Sequence, residues 1–308
     1  MSGLRPALAG YLDLRRGLGF KLDRDARLLD QFITYLEQRG TATVTVADAL
    51  AWATLPAGGS PGWLRMRMTV VRGFAAYLRT LDPAAEVPPA SLLPGGNRRA
   101  VPYLYSGTDI AALLAQADRL NTPLRRATIK TLIGLMAVTG MRGGETVALD
   151  DEDFDPGRGL LLVRHAKLGK YRLLPLHPTT VAALQDYRRL RDQQFTRPVS
   201  EALLVSSAGT RLLYYNVGQT FAKLARRAGL ATRSGGCRPR PHDLRHSFAV
   251  ATLLDWCRDS ADIAPRMPLL SAYLGHADPA RTYWYLHAAP ELLAEAARRL
   301  GDGPGEPR

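Results

Sequence analysis

Two arginines, two histidines and a tyrosine stand in short motifs between residues 139 and 285 of this 308-residue chain. The motifs are Thr139-Gly140-Met141-Arg142, His242-Asp243-Leu244-Arg245, Leu274-Gly275-His276 and Tyr285. Two guanidinium groups can bind the non-bridging oxygens of a phosphodiester and stabilise the charge of its transition state. Imidazoles can transfer protons, and a phenolic oxygen can attack phosphorus. The residue types therefore suit phosphodiester cleavage through a covalent tyrosine intermediate.

Each motif also has a simpler interpretation when it is taken alone. Arg142 could cap the helix that precedes it, and His276 could be a structural histidine at a helix end. A histidine three residues before an arginine is frequent by chance, although that spacing places His242 and Arg245 on one face of a helix. No carboxylate cluster accompanies the histidines to indicate a metal site.

Taken together, the motifs resemble those of the tyrosine recombinases, the phage integrase family of site-specific DNA recombinases, over about residues 105 to 300. The family's first box, T-G-x-R with an acidic residue three places on, matches Arg142 and Glu145. Its second box, H-x-x-R, matches His242 and Arg245. Its L-G-H motif is followed by the nucleophilic tyrosine nine residues later, and Tyr285 stands at that position.

The resemblance implies a role for each matched residue. Tyr285 would attack the scissile phosphate, which gives a 3′-phosphotyrosyl bond and a free 5′-hydroxyl. Lys167 would protonate the departing 5′-oxygen, and His242 would assist proton transfer. The phosphate would be held by Arg142, Arg245 and His276, with Glu145 as a supporting residue that orients an arginine. The resemblance implies no metal or nucleotide cofactor, because the covalent bond conserves the energy of the phosphodiester.

The catalytic lysine of the family lies on a β-hairpin, and the residues around Lys167 predict one. Leu160 to Val163 and Arg172 to Leu174 have the pattern of two short strands that flank Lys167 and Lys170. Only five of the 41 basic residues are lysine, and an ammonium can donate a proton where a guanidinium cannot. We assign Lys170 to DNA binding.

The composition favours a polyanionic partner, because the net charge is +13 and the pI is about 10.1. A solubilising excess of arginine is the simpler explanation. Two cysteines, Cys237 and Cys257, exclude a disulfide framework. With neither a membrane-spanning apolar run nor the apolar core of a signal peptide, we expect a cytoplasmic protein, associated with the nucleoid if it is bacterial.

The first 81 residues predict a helical DNA-binding domain. Amphipathic helices are expected over 22–39, after the capping residue Thr45, and from Ser60 to Leu81. Three arginines recur every seven residues along one edge of the last helix, at positions suited to the phosphate backbone: Arg65, Arg72 and Arg79. They could equally be solvated surface residues.

Prolines and glycines predict an interdomain linker over 82–107, in which Arg98 and Arg99 would lie close to phosphates. Residues 108–300 would form the catalytic domain, with Thr108 as the first helix cap and a disordered tail over 301–308. Its helices are expected at 109–119, 123–139, 143–149, 178–194, 216–228, 242–257 and 290–300.

Two features differ from compact members of the family and point to its transposon-associated branch. The segment 255–271 is long and polar, and Pro265 and Pro268 are expected to break it. A second tyrosine, Tyr283, precedes Tyr285 by two residues. We expect Tyr283 and Trp284 to pack inward or against the segment 255–271.

The sequence therefore predicts a mainly α, two-domain DNA clamp with a small β-hairpin in its catalytic domain. Its partner would be double-stranded DNA at a specific recombination site. The resemblance implies a homotetramer on DNA that works through a Holliday junction, with the C-terminal helix available for exchange between subunits. Two alternatives stay open: a type IB topoisomerase that relaxes DNA, and a catalytically silent DNA-binding protein.

Overall fold

The computed structural model describes residues 3–93, 101–164, 171–232, 237–259, 262–276, 278 and 280–288. These residues are mainly helical with one three-stranded antiparallel sheet, as the sequence predicts. The chain divides into two compact units, residues 1–99 and residues 100–308. Among the described helices, none is long and apolar enough to cross a membrane.

The N-terminal unit contains four helices: α1 (Leu4–Gly17), α2 (Asp23–Gln38), α3 (Val46–Thr54) and α4 (Pro61–Leu78). The hydroxyl groups of Thr45 and Ser60 cap α3 and α4, as their sequence positions predict. The pattern did not predict α1, because Pro6 and Gly10 weaken its helix propensity. Tertiary packing overrides that weakness, since α1 buries one apolar face in the core of the unit.

Much of the segment predicted as linker packs against one unit or the other. Ala85 is buried in the N-terminal core, and the backbone N–H of Glu86 donates to the carbonyl of Val44 at 2.8 Å. Tyr103 and Tyr105 are buried in the core of the C-terminal unit. Residues 94–100 of the linker, with Arg98 and Arg99, lie outside the described residues.

The C-terminal unit begins with three helices: α5 (Gly107–Ala117), α6 (Pro123–Thr139) and α7 (Gly143–Ala148). The sheet follows, with β1 (Phe154–Asp155), β2 (Leu160–Val163) and β3 (Arg172–Pro175). Leu161 pairs with Leu174 and Val163 with Arg172, so the predicted hairpin strands are confirmed. Five more α-helices follow among the described residues of this unit: α8 (Pro178–Gln194), α9 (Tyr214–Arg227), α10 (Asp243–Arg258), α11 (Met267–Leu274) and α12 (Ala280–Ala288).

Three local predictions about this unit were wrong or incomplete. Ser106, not Thr108, caps α5, in a reciprocal capping box with Asp109. Pro268 does not break a helix but lies in the first turn of α11, where its missing N–H has no helical partner to lose. The periodicity also failed to predict α11 and α12. The helix expected over 290–300 lies outside the described residues.

Candidate active site

Arg142 lies at the junction between α6 and α7. Gly140 ends α6 with a left-handed φ of 63°, and Arg142 is the extended residue immediately before α7. The Arg142 guanidinium donates to Oε1 of Glu145 at 2.7 Å and to the carbonyl of Gly275 at 3.0 Å. Arg142 therefore pairs with Glu145, and the same guanidinium ties the end of α6 to the L-G-H turn.

Arg245 is the central buried charge of the site. It stands in the first turn of α10 with 1% of its surface exposed. Its guanidinium donates to the carbonyls of Gly140, at 2.8 Å, and Leu274, at 2.6 Å. Burial, and then the charge of Arg142, lower its pKa to about 10. Arg245 therefore stays protonated at neutral pH and adjoins the same turn as Arg142.

The two motif histidines are held neutral. Burial, followed by the charge of Arg245, lowers the pKa of both His242 and His276, and that of His276 falls to about 3. Nδ1 of His276 lies 2.7 Å from the hydroxyl of Thr282 on α12. An imidazole that is neutral at pH 7 can donate from one nitrogen and accept at the other.

Tyr285 lies on α12 and is 2% exposed. Its ring centroid is 6.1 Å from that of His276 and 5.3 Å from that of His246. Trp284 packs on the same apolar cluster, which the segment 255–271 helps to build. Tyr283 does not pack inward as expected and is 43% exposed, because residues two apart on a helix point about 200° away from each other.

Three further residues at the site were not predicted. Arg172, at the start of β3, pairs with Glu145 at 2.7 Å, and Thr282 contacts His276. The ring of Tyr214 lies over Gly143, so that a Cβ at position 143 would come within 2.0 Å of Cε2. The only sequence signals were the two glycines after Arg142 and the place of Arg172 on the predicted hairpin.

The remaining predicted residues either lie outside the described residues or belong to the N-terminal unit. Lys167 and Lys170 lie outside the described residues, as do Arg98 and Arg99. In the N-terminal unit, Arg79 is exposed and Arg65 is half-buried. Arg72 donates to the carbonyls of Pro88, at 2.8 Å, and Pro89, at 3.1 Å. Within the described ranges, no three histidine, cysteine or acidic side chains are grouped to hold a metal ion.

The fold and the cluster of a tyrosine, arginines and histidines define an enzyme that cleaves and rejoins DNA strands through a tyrosine. The chain belongs to the phage integrase family, whose model matches residues 106–291. It is 41% identical over 306 residues to the putative integrase/recombinase y4rB of Sinorhizobium fredii strain NBRC 101917 / NGR234, covering 97% of this chain and 98% of that protein.

Two solved structures share the fold at low sequence identity. The Tn1549 transposon integrase in complex with transposon right end DNA superposes with a TM-score of 0.64 at 16% identity, over 96% of this chain and 99% of that one. A lambda integrase tetramer bound to a Holliday junction gives a TM-score of 0.61 at 16% identity, over 92% of this chain and 76% of that one. The matches cover most of both chains, so the likeness extends beyond the catalytic unit.

Proposed function

We propose that this recombinase cuts DNA by attack of the Tyr285 oxygen on a phosphodiester of double-stranded DNA. The new P–O bond forms at the tyrosine as the bond to the 5′-oxygen breaks, which leaves a 3′-phosphotyrosyl link and a 5′-hydroxyl. A 5′-hydroxyl of the partner strand then reverses the step. The observation that carries this proposal is that Arg142, Arg245 and Tyr285, from three helix regions, meet around the turn after α11 that holds His276.

The cluster is suited to the charge that develops in the transition state. Arg142 and Arg245 adjoin consecutive carbonyls, those of Gly275 and Leu274, so both cations are held in place before the phosphate arrives. Such preorganised groups need little rearrangement during the reaction. If the Thr282 hydroxyl donates to Nδ1 of His276, Nε2 carries the proton and can donate to a phosphate oxygen.

Two proton transfers accompany the attack. Tyr285 must lose its phenolic proton, and His242 is a suitable acceptor because burial lowers its pKa and keeps the imidazole neutral. The departing 5′-oxygen must gain a proton, which we assign to Lys167. Because Tyr285 is 2% exposed, α12 must shift for the phosphate to reach the phenol.

The proposed oligomeric state and biological role are supported by solved structures that share the fold. Lambda integrase forms a tetramer on a Holliday junction, and we propose that four copies of this chain likewise exchange strands between two specific sites, with the C-terminal helix available for exchange between subunits. The Tn1549 integrase acts for a transposon, which supports the proposed transposon-associated role. A recombinase of this kind works where the chromosome is, so we propose a cytoplasmic, nucleoid-associated enzyme.

Covalent capture tests the proposal even though the target site is unidentified. Purified protein is incubated with fragmented DNA from the source organism, and protein-linked fragments are precipitated under denaturing conditions and sequenced. A nicked duplex built on the recovered sequence then traps the adduct for peptide mapping. We expect one enriched site, a 3′-linked strand and the nucleotide on Tyr285.

Tyr283→Phe is the matched control for Tyr285→Phe, since both changes remove one hydroxyl from α12. Tyr285→Phe should keep its fold and bind the recovered site but form no adduct, whereas Tyr283→Phe should form the adduct. Nucleotide found on Tyr283, or an adduct with Tyr285→Phe, would contradict the proposed nucleophile. Fragments recovered without any common sequence would favour a topoisomerase.

A further inference from the structure

Arg172 places a third guanidinium beside the two that the motifs supply. It is the first residue of β3, and its side chain is 11% exposed. Nη2 donates to Oε2 of Glu145 at 2.7 Å, and Nη1 lies 3.3 Å from Oε1. Oε1 also accepts from Arg142 at 2.7 Å. A single buried carboxylate thus bridges two arginines, one from the sheet and one from the start of α7.

The Arg172 guanidinium also lies directly against the L-G-H turn. Gly275 has a left-handed φ of 67°, and a Cβ at this position would come within 2.8 Å of Nη1 and 3.2 Å of Cζ of Arg172. The same glycine offers its carbonyl to Arg142 and precedes His276. A glycine is therefore required here twice over, by its backbone angle and by the close approach of Arg172.

The pKa of Glu145 depends on both arginines. Burial raises the pKa of the Glu145 carboxyl, but the hydrogen bond and charge of Arg172, followed by those of Arg142, outweigh burial and lower the pKa to about 2. Nε of Arg172 is buried and has no hydrogen-bond partner among the described residues. A buried guanidinium with an unsatisfied N–H is costly, so simple packing is a poor explanation for it.

We propose that Arg172 is a positioning residue for strand cleavage. It fixes the carboxylate of Glu145 and the turn at Gly275, so that Arg142 and His276 are presented to the phosphate together. Arg172 does not itself touch the phosphate. Because it belongs to β3, it also ties this presentation to the sheet. The inference rests on the proposed function, since it assumes that Arg142 and His276 bind the reacting phosphate.

The test compares three variants on the nicked duplex that traps the covalent adduct. Arg172→Gln removes the charge, Arg172→Lys keeps it on a group that cannot bind a carboxylate through two parallel N–H bonds, and Arg188→Gln is the control. Arg188 lies on α8, outside the site, and it also pairs with a partly buried carboxylate, that of Asp151. We measure the single-turnover rate of adduct formation and the Kd for the same DNA.

Arg172→Gln should slow adduct formation by roughly 10- to 100-fold, the range expected when reacting groups are displaced slightly. Its Kd should change by less than about threefold, because most DNA affinity comes from other phosphate contacts. Arg172→Lys should recover part of the rate, and Arg188→Gln should cut at the wild-type rate. A wild-type rate for either Arg172 variant would overturn the inference.

The pH profile separates positioning from a general loss of structure. Wild-type Glu145, with a pKa of about 2, stays ionised throughout pH 5 to 8. Removal of Arg172 raises that pKa, so adduct formation by Arg172→Gln should fall more steeply than wild type as pH drops from 8 to 5. Arg172→Lys should keep the wild-type profile. A uniform loss of rate at every pH in the Gln variant would point to a merely structural role and contradict the inference.

Tyr285→Phe, assayed in parallel, keeps the two proposals distinguishable. If Tyr285→Phe still forms the adduct, the proposed function fails whatever Arg172 does. If Tyr285→Phe is inactive and Arg172→Gln matches wild type in rate and pH profile, only the role of Arg172 is lost. A thermal melt of each variant identifies misfolding, in which case Arg172→Lys decides the question by its rate.

Discussion

Each unit of the protein buries an arginine whose guanidinium donates to backbone carbonyls, yet the two arginines are used differently. In the N-terminal unit, Arg67 lies 3.6 Å above the ring of Trp52 and donates to the carbonyl of the same residue at 2.7 Å. In the C-terminal unit, Arg245 donates to carbonyls that are 105 and 29 residues away along the chain. Arg67 thus closes a local contact between two helices, whereas Arg245 joins three separate segments.

The difference shows how one residue type serves packing in one place and chemistry in another. A guanidinium has five N–H donors, and the carbonyls of Gly140 and Leu274 use two of those on Arg245. The ring of Trp52 covers one face of Arg67. Arg245 instead has Arg142, His276 and Tyr285 as its neighbours, and its positive charge adds to burial in lowering the pKa of His276. Arg245 therefore affects the charges of its neighbours and also holds the chain segments together.

The largest effect on the cleavage rate should come from Lys167→Ala. This variant tests whether the C-terminal unit supplies a transferable proton in addition to the positive charges of its buried arginines. Loss of a general acid should slow cleavage by roughly 10²- to 10⁴-fold. A substrate with sulfur at the bridging 5′ position should restore the rate, because a thiolate departs without that proton. If sulfur gives no rescue, the acid is another group, with Lys170 and His242 as the next candidates.

Arg245→Met and Arg67→Met test the comparison directly, since both replace a buried guanidinium by an apolar chain. Arg245→Met should slow adduct formation on the order of 10²- to 10³-fold, as loss of one preorganised donor does. Arg67→Met should leave the rate of the folded protein unchanged and lower its stability by about 1–3 kcal/mol, the cost of an unsatisfied carbonyl. Adduct kinetics and thermal melts provide the two measurements. If Arg67→Met formed the adduct more slowly but kept wild-type stability, the contrast between Arg67 in packing and Arg245 in chemistry would be wrong.

The smallest expected effect is on the salt dependence of DNA binding. It should distinguish Arg79, just after α4, from Arg72, which lies on α4. Arg79 is exposed, so if it contacts DNA backbone, Arg79→Ala should reduce the slope of log K against log salt concentration by about 0.9. Arg72 is held by the carbonyls of Pro88 and Pro89, so Arg72→Ala should change the slope less and loosen the segment after α4 instead. Binding titrations across salt concentrations measure both. Equal slopes for wild type and Arg79→Ala would show that Arg79 is only a solvated residue.

Sequence alone was most informative where a signal is local. The caps at Thr45 and Ser60 predicted the starts of α3 and α4, and strand alternation predicted β2 and β3 within one residue. Such local signals carry information because helix and strand geometry fix where neighbouring side chains point. That Arg142, His242, Arg245, His276 and Tyr285 act on one phosphate was instead implied by the family resemblance, because local geometry cannot bring motifs a hundred residues apart together.

Contacts between distant segments could not be predicted in this way. The sequence identified Arg172 only as a strand residue, because its pairing with Glu145 depends on how β3 packs against α7. Thr282 and α12 were missed because the burial of Tyr285 depends on α10 and α11, not on periodicity within α12. The ring of Tyr214 over Gly143 is a further case, in which a glycine signalled a close approach but not its partner.

The position of Trp284 has a practical consequence. Its indole ring lies 5.6 Å from the ring of Tyr285 and 5.5 Å from that of His246, centroid to centroid. Indole fluorescence responds to charge and to stacking partners, and a phosphate joined to Tyr285 would bring a negative charge to the neighbouring ring. Trp284 therefore provides a fluorescent reporter one residue from the proposed nucleophile, while Trp52 and Trp63 report on the other unit.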